Sequence, residues 1–192
     1  MNETTPYFND FRECLAQSHA AEDLSVWEEV YRKAFPGMVG MVSYRQDGFW
    51  QREGIDRGIL LNNTKQIFID EKIRGTNKIT GKVYEDISLE YISNNTNGAA
   101  GWVCKQLRAD YIAYLIAPIG KCYLLPVIQL QQAWELYGRE WRTRPRQGDS
   151  YGERSARNNG YLTWFCPVPV PELFSKIGSL LRIEFEPFEF TE

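Results

Sequence analysis

The sequence predicts an α/β fold built on a mixed sheet. Three observations point to it. A helix-period segment opens the chain, several short β-rich runs separated by tight turns follow, and two further helix-period segments then flank another apolar run. The predicted order is a helix, an antiparallel three-strand meander, and then helix, strand and helix, with the helices flanking the sheet.

The 22–35 segment, EDLSVWEEVYRKAF, sets Trp27, Val30, Tyr31 and Ala34 on one helical face, and Pro36-Gly37 ends it. A second short helix is read around 7–17. Residues 38–46 suit a short strand. Residues 55–61 (IDRGILL) and 66–74 (QIFIDEKIR) read as strands joined by the turn Asn62-Asn63-Thr64-Lys65. After a polar loop over 75–82, EDISLEYI at 85–92 alternates and is taken as the third strand of the meander. Residues 100–116, AGWVCKQLRADYIAYLI, read as a helix packed on that sheet. KCYLLPVI at 121–128 reads as a strand and QLQQAWELYGREW at 129–141 as a helix. A strand–helix–strand crossover of this length implies parallel pairing. Residues 142–160 are loop-like. The tail holds the Pro-rich CPVPVPELF, a short helix near 171–178 and a last strand near 180–186.

The 192 residues suit a single domain over 1–192, with a core at about 22–141 and an Arg-rich loop and C-terminal extension over 142–192. The chain is 43% hydrophobic and 24% charged, with six Trp and eleven Tyr, which is enough apolar surface to build a core. Its net charge of −3 excludes a protein that coats nucleic acid indiscriminately, so any such contact must be local. No apolar run of about eighteen residues is present, so no membrane partner is expected. The start, MNETTPYFNDFREC, carries no signal-peptide pattern, and a cytoplasmic location is expected. Cys14, Cys104, Cys122 and Cys166 form no CxxC pair, and His19 is the single histidine. A zinc ribbon, a redox pair and any mechanism needing two histidines are therefore not indicated.

Strand alternation sets Phe68, Asp70 and Lys72 on one face of the 66–74 strand, and Ile67, Ile69 and Glu71 on the other. A hairpin across Asn62-Asn63 brings Asp56 beside Asp70. Two carboxylates and a backbone carbonyl make an all-oxygen pocket suited to Mg²⁺ or Mn²⁺. A lysine beside them can stabilise charge on an attacked phosphate. Asp-x-Lys alone is common on solvated strands; the earlier aspartate and the element order give it weight here.

Gly54-Ile55-Asp56 followed by Ile69-Asp70-Glu71-Lys72 resembles the D…(D/E)xK signature of the PD-(D/E)xK (restriction-endonuclease-like) nuclease superfamily, phage or mobile-element types included. The likeness covers about 22–141, and GWVCKQLRADYIAYL resembles the helix that follows the signature in many members. The resemblance implies a restriction-endonuclease-like fold and a divalent-metal deoxyribonuclease in DNA processing, recombination or defence. Asp56 and Asp70 would hold the metal with Glu71 contributing its carbonyl, and Lys72 would be catalytic. Glu28 or Glu29 on the first helix would supply an additional acid. The sequence departs from the pattern at Ile55, where proline is frequent. It departs again at Gln106, which Tyr111 follows by five residues rather than the four of some exonuclease branches. Small resolvase-like members are dimers, so a homodimer is one expectation. The alternative is the same fold used to bind nucleic acid or protein without cutting.

A second feature is basic. Six arginines lie between Arg139 and Arg157 against Glu140, Asp149 and Glu153, a local excess of three positive charges in an otherwise acidic chain. Arg142, Arg144 and Arg146, with Trp141 and Tyr151 interleaved, are read as phosphate contacts, and Lys105 and Gln106 as further nucleic-acid contacts. Glu90 is read as facing solvent, with lining the site as the lesser alternative, and Trp102 as a core anchor rather than a base-stacking platform.

Overall fold

The computed structural model describes residues 25–77, 80–147 and 150–190. The helix expected around 7–17, the first residues of the 22–35 helix, Cys14 and His19 lie outside them. The described chain forms α1 (Val26–Ala34), β1 (Met38–Ser43), α2 (Gly48–Arg52), β2 (Arg57–Leu61) and β3 (Gln66–Arg74). Next come β4 (Asp86–Asn94), β5 (Ala99–Ala100), β6 (Tyr111–Ile116), β7 (Lys121–Pro126) and α3 (Val127–Thr143). The chain ends in β8 (Arg154–Asn158), β9 (Tyr161–Pro169), α4 (Val170–Ile177) and β10 (Leu181–Glu184).

The fold is mixed α/β. A six-stranded sheet runs β1-β2-β3-β6-β7-β10, and a four-stranded sheet runs β5-β4-β9-β8. In the larger sheet only β3 and β6 are parallel, with Asp70 opposite Ile112 and Lys72 opposite Tyr114. The β2–β3 hairpin forms as expected. Asn63 Oδ1 accepts from the Lys65 N–H at 3.1 Å, and Thr64, not an asparagine, takes the left-handed conformation at φ 67°.

Three expectations are corrected, the first being the loop-like reading of 142–160, which contains β8 paired with β9. The meander is β1-β2-β3; the 85–92 strand leaves it for the second sheet, where β4 pairs with β9 and β5. The helix expected over 100–116 is absent. Residues 101–105 turn, and 111–116 form β6 at the centre of the sheet. The reason is burial on both faces. Ile112, Tyr114 and Ile116 pack toward the second sheet while Ala113 and Leu115 pack toward α1, so YIAYLI is apolar throughout and hides the two-residue period. The parallel connection from β3 to β6 therefore passes through strands rather than a helix.

Each face of the large sheet has its own core. On one side α1 inserts Trp27, Val30 and Tyr31 against Ile59, Ile69, Leu115 and Leu124. On the other, Ile87 and Leu89 of β4, Cys166 and Val168 of β9, Leu130 and Trp141 of α3 and Leu173 of α4 close over Ile112, Ile116 and Leu125. Within β9, Pro167 and Pro169 pair with β4 past the point where β8 ends at Arg154 opposite Phe165. Their missing N–H groups therefore cost no ladder bond on that side. None of the described helices is long and apolar enough to cross a membrane.

Candidate functional site

The candidate site forms where β2 begins. The Asp56 N–H donates to the Ile69 carbonyl at 2.9 Å, while its carbonyl accepts from the Tyr44 N–H at 2.8 Å. In a regular strand both groups face one neighbour, so the chain bends at Asp56. Its carboxylate reaches across to β3, where Oδ2 accepts from the Glu71 N–H at 2.8 Å. Asp70 and Lys72 project together, as alternation requires, and Lys72 Nζ donates to Asp70 Oδ1 at 2.5 Å. Asp56, Asp70 and Lys72 line one cleft of about 740 Å³.

The electrostatics mark Asp70 as a stressed acid. It is 4% exposed. Burial, with the like charge of Asp56 beside it, pushes its carboxyl up to about 7 against the pull of Lys72. Burial works against the Lys72 ammonium, but Asp70 and Asp56 outweigh it and hold the lysine above its ordinary value.

Glu71 points the other way. Its side chain is fully buried and accepts from Tyr31 Oη at 2.6 Å, Arg57 Nε at 2.8 Å and Arg45 Nη2 at 3.1 Å. Arg45 also stands 3.6 Å from Asp56 Oδ2. This clamp fixes the strand from behind at the residue between Asp70 and Lys72. The Glu71 carboxylate is therefore spent on its own face and does not line the cleft.

The opposite wall comes from the second sheet. Glu90 and Ser93 of β4, Ala99 and Ala100 of β5, and Trp102, Lys105 and Leu107 complete the lining with Gln51 and Gly54. Glu90 thus takes the lesser of its two expected places and lines the cleft, and Trp102 packs partly buried against the core as expected while also lining the cleft. Burial raises the Glu90 carboxyl against the pull of Lys72 and Ser93. Sequence reasoning misses this wall because it assigns the 85–92 strand to the wrong sheet. The one signal available is the glutamate itself, on an alternating strand.

Other expected residues lie elsewhere. Glu28 and Glu29 are exposed on α1, tied to Arg32 and Lys33 at 2.7 Å each, and do not line the cleft. Arg142 stacks 4.8 Å from the Tyr91 ring and 5.9 Å from the Trp134 ring, and pairs with Glu153 at 3.7 Å. Arg144 lies 4.4 Å over Tyr151 and pairs with Glu140 and Glu172. Arg146 is exposed and donates to the Glu153 carbonyl at 3.2 Å. Lys105 lines the cleft, whereas Gln106 is exposed outside it. Among the described residues no group of three or more His, Cys, Asp and Glu side chains is arranged to hold a metal ion. The two carboxylates that meet in the cleft are Asp56 and Asp70, with Glu90 on the opposite wall. Comparison with protein-family models, with curated proteins and with solved structures returns no match.

Proposed function

We propose that this protein is a divalent-metal-dependent nuclease that hydrolyses phosphodiester bonds, with DNA as its substrate and a restriction-endonuclease-like core. The observation that supports this most is the shared cleft: Asp56 and Asp70 converge there with Lys72 beside them.

The donor set fits Mg²⁺ or Mn²⁺. Two aspartates meet, and their mutual repulsion is what a cation relieves. Within a strand the N–H and C=O of one residue face the same edge, so the Glu71 carbonyl turns toward Asp56 with the N–H that Asp56 holds. Asp56, Asp70 and that carbonyl would hold the ion. When bound, it supplies Lewis-acid polarisation of a phosphodiester and lowers the pKa of water. The chain does the rest. Lys72 sets a positive charge beside the position of the attacked phosphate, where negative charge grows in the transition state. The Arg45–Arg57–Tyr31 clamp on Glu71 keeps β3 from shifting under that load.

The test is cleavage of linear, nicked and branched DNA and of RNA in Mn²⁺. Wild type is expected to cut DNA. Lys72→Ala is expected to lose at least two orders of magnitude in rate, in the range seen when one transition-state donor is removed, with little change in binding. Binding without cleavage of any substrate would assign a binding protein on this scaffold instead. Equal rates for Lys72→Ala and wild type would place the chemistry elsewhere.

A further inference from the structure

Lys72 and Glu90 line the same cleft from different sheets, and their charges attract, while Glu90 also hydrogen-bonds Ser93. Lys72 rests on Asp70 Oδ1. A divalent cation on the Asp56–Asp70 pair would compete with that contact for the Asp70 carboxylate. With a cation bound, Asp70 would share its charge between two cations, and the like charges of the ion and the Lys72 ammonium would repel. Asp56 would be drawn to the same cation, and its Oδ2 already accepts from the Glu71 N–H. Among the described residues lining the cleft, the remaining carboxylate is Glu90.

Glu90 is held where it can serve. Its carbonyl accepts from the Val103 N–H at 3.1 Å, and the Gly101 N–H donates to the Tyr91 carbonyl at 3.0 Å. A Cβ at Gly101 would stand 2.3 Å from the Glu90 carbonyl oxygen, so the 101–105 turn lies directly on β4 and fixes its path at this residue. The glutamate is half-buried, which limits screening of its attraction for Lys72.

The geometry points to Glu90 as a positioning residue: a second seat, on the opposite wall, that receives the Lys72 ammonium when a divalent cation occupies Asp56 and Asp70. This rests on the metal site proposed above. Glu90 touches no reacting atom in this role. It acts by drawing a competing cation off Asp70 and by holding Lys72 where a phosphate would lie between the walls.

The experiment is a double-mutant cycle read by Mn²⁺ affinity, measured by calorimetry at pH 8 on the full chain. Lys72→Ala is expected to bind Mn²⁺ more tightly than wild type, because the competing ammonium is gone. Glu90→Gln is expected to bind about three- to tenfold more weakly, the size typical of coupling between neighbouring charged groups. In the Lys72→Ala background Glu90→Gln is expected to change affinity by less than about twofold. A simple loss of negative charge near the ion would weaken binding equally in both backgrounds, and that result overturns the proposal. So does a Glu90→Gln affinity equal to wild type. Should Glu90→Gln not fold, Lys72→Ala alone decides, and an affinity at or below wild type overturns it. If wild type binds no Mn²⁺, the metal site itself fails, and this inference with it.

Discussion

Asp70 carries the conflict on which the site depends. Its carboxyl is buried beside a second aspartate, so the folded protein disfavours its charged form and its titration moves from the usual carboxylate range to about 7. The folded pKa is raised above the unfolded one, so the native state is fully favoured below about pH 4. Stability then declines as pH rises toward 7, where the unfolded chain releases this proton first. In metal-free buffer with chelator, Asp70→Asn is expected to unfold at the same urea concentration as wild type near pH 4. At pH 8 it should be more stable by on the order of 4 kcal/mol, from a shift of about three units at 1.36 kcal/mol each. The same variant should lose most Mn²⁺ affinity, since one carboxylate of an all-oxygen pair is gone. A variant that is no more stable at pH 8 would show that Asp70 is not the strained acid. On the reverse face, the Tyr31 hydroxyl donates to the buried Glu71 carboxylate. Hydrogen bonds to charged groups contribute about 1.5–3 kcal/mol, and Tyr31→Phe is expected to lower unfolding free energy by that amount. Urea titration reads this directly, and an unchanged midpoint would remove the clamp from the account.

At the level of elements, β3 was legible and its surroundings were only partly so. The 66–74 limits, the hairpin to β2 and the sharing of one face by Asp70 and Lys72 all follow from local alternation and turn chemistry. The 129–141 helix was legible too, from its amphipathic period, and runs Val127–Thr143. The neighbours of β3 were not legible. The strand that pairs with it in parallel, β6, is buried on both faces and reads equally well as helix, and β4 alternates whichever sheet it joins. Glu90 lining the site was only the lesser alternative for the same reason, since its place depends on which sheet receives β4. Gly101 is the local sign that residues 101–105 are not helical but lie against β4. Gly101→Ala would drive a methyl group into the Glu90 backbone and push the turn off the strand. It is expected to cost about 1–3 kcal/mol, as overpacking does, and to shift the Trp102 emission as the cleft wall moves. Wild-type stability and fluorescence in Gly101→Ala would mean that this wall is not packed as described.

Across the whole molecule, the acidic balance and the distribution of arginines decide how nucleic acid would be met. The sequence assigns Arg142, Arg144 and Arg146 to phosphate contact because basic residues cluster there. In the fold, the first two join α3 to the second sheet and α4, through Tyr91, Trp134, Glu153, Tyr151, Glu140 and Glu172. A guanidinium stacked on a ring and paired with a carboxylate has little left to offer a phosphate without first giving up those partners. Lys105 sits instead in the lining of the candidate cleft, which Lys72 and Asp56 also line. The two alternatives separate in the salt dependence of DNA binding, because each phosphate neutralised releases counterions and steepens the slope of affinity against salt. Binding is best measured with Asp70→Asn as the background, so that cleavage does not intervene. Lys105→Gln is expected to reduce that slope by about one on a log–log plot while leaving the melting temperature near its starting value. The combined Arg142→Gln and Arg144→Gln change is expected to do the opposite. It should lower thermal stability by several degrees, through lost ion pairs and ring stacking, and leave the slope as it was. If the double arginine variant flattens the slope and keeps its stability, the arginines face the substrate and the cleft is not where the backbone of the DNA is held.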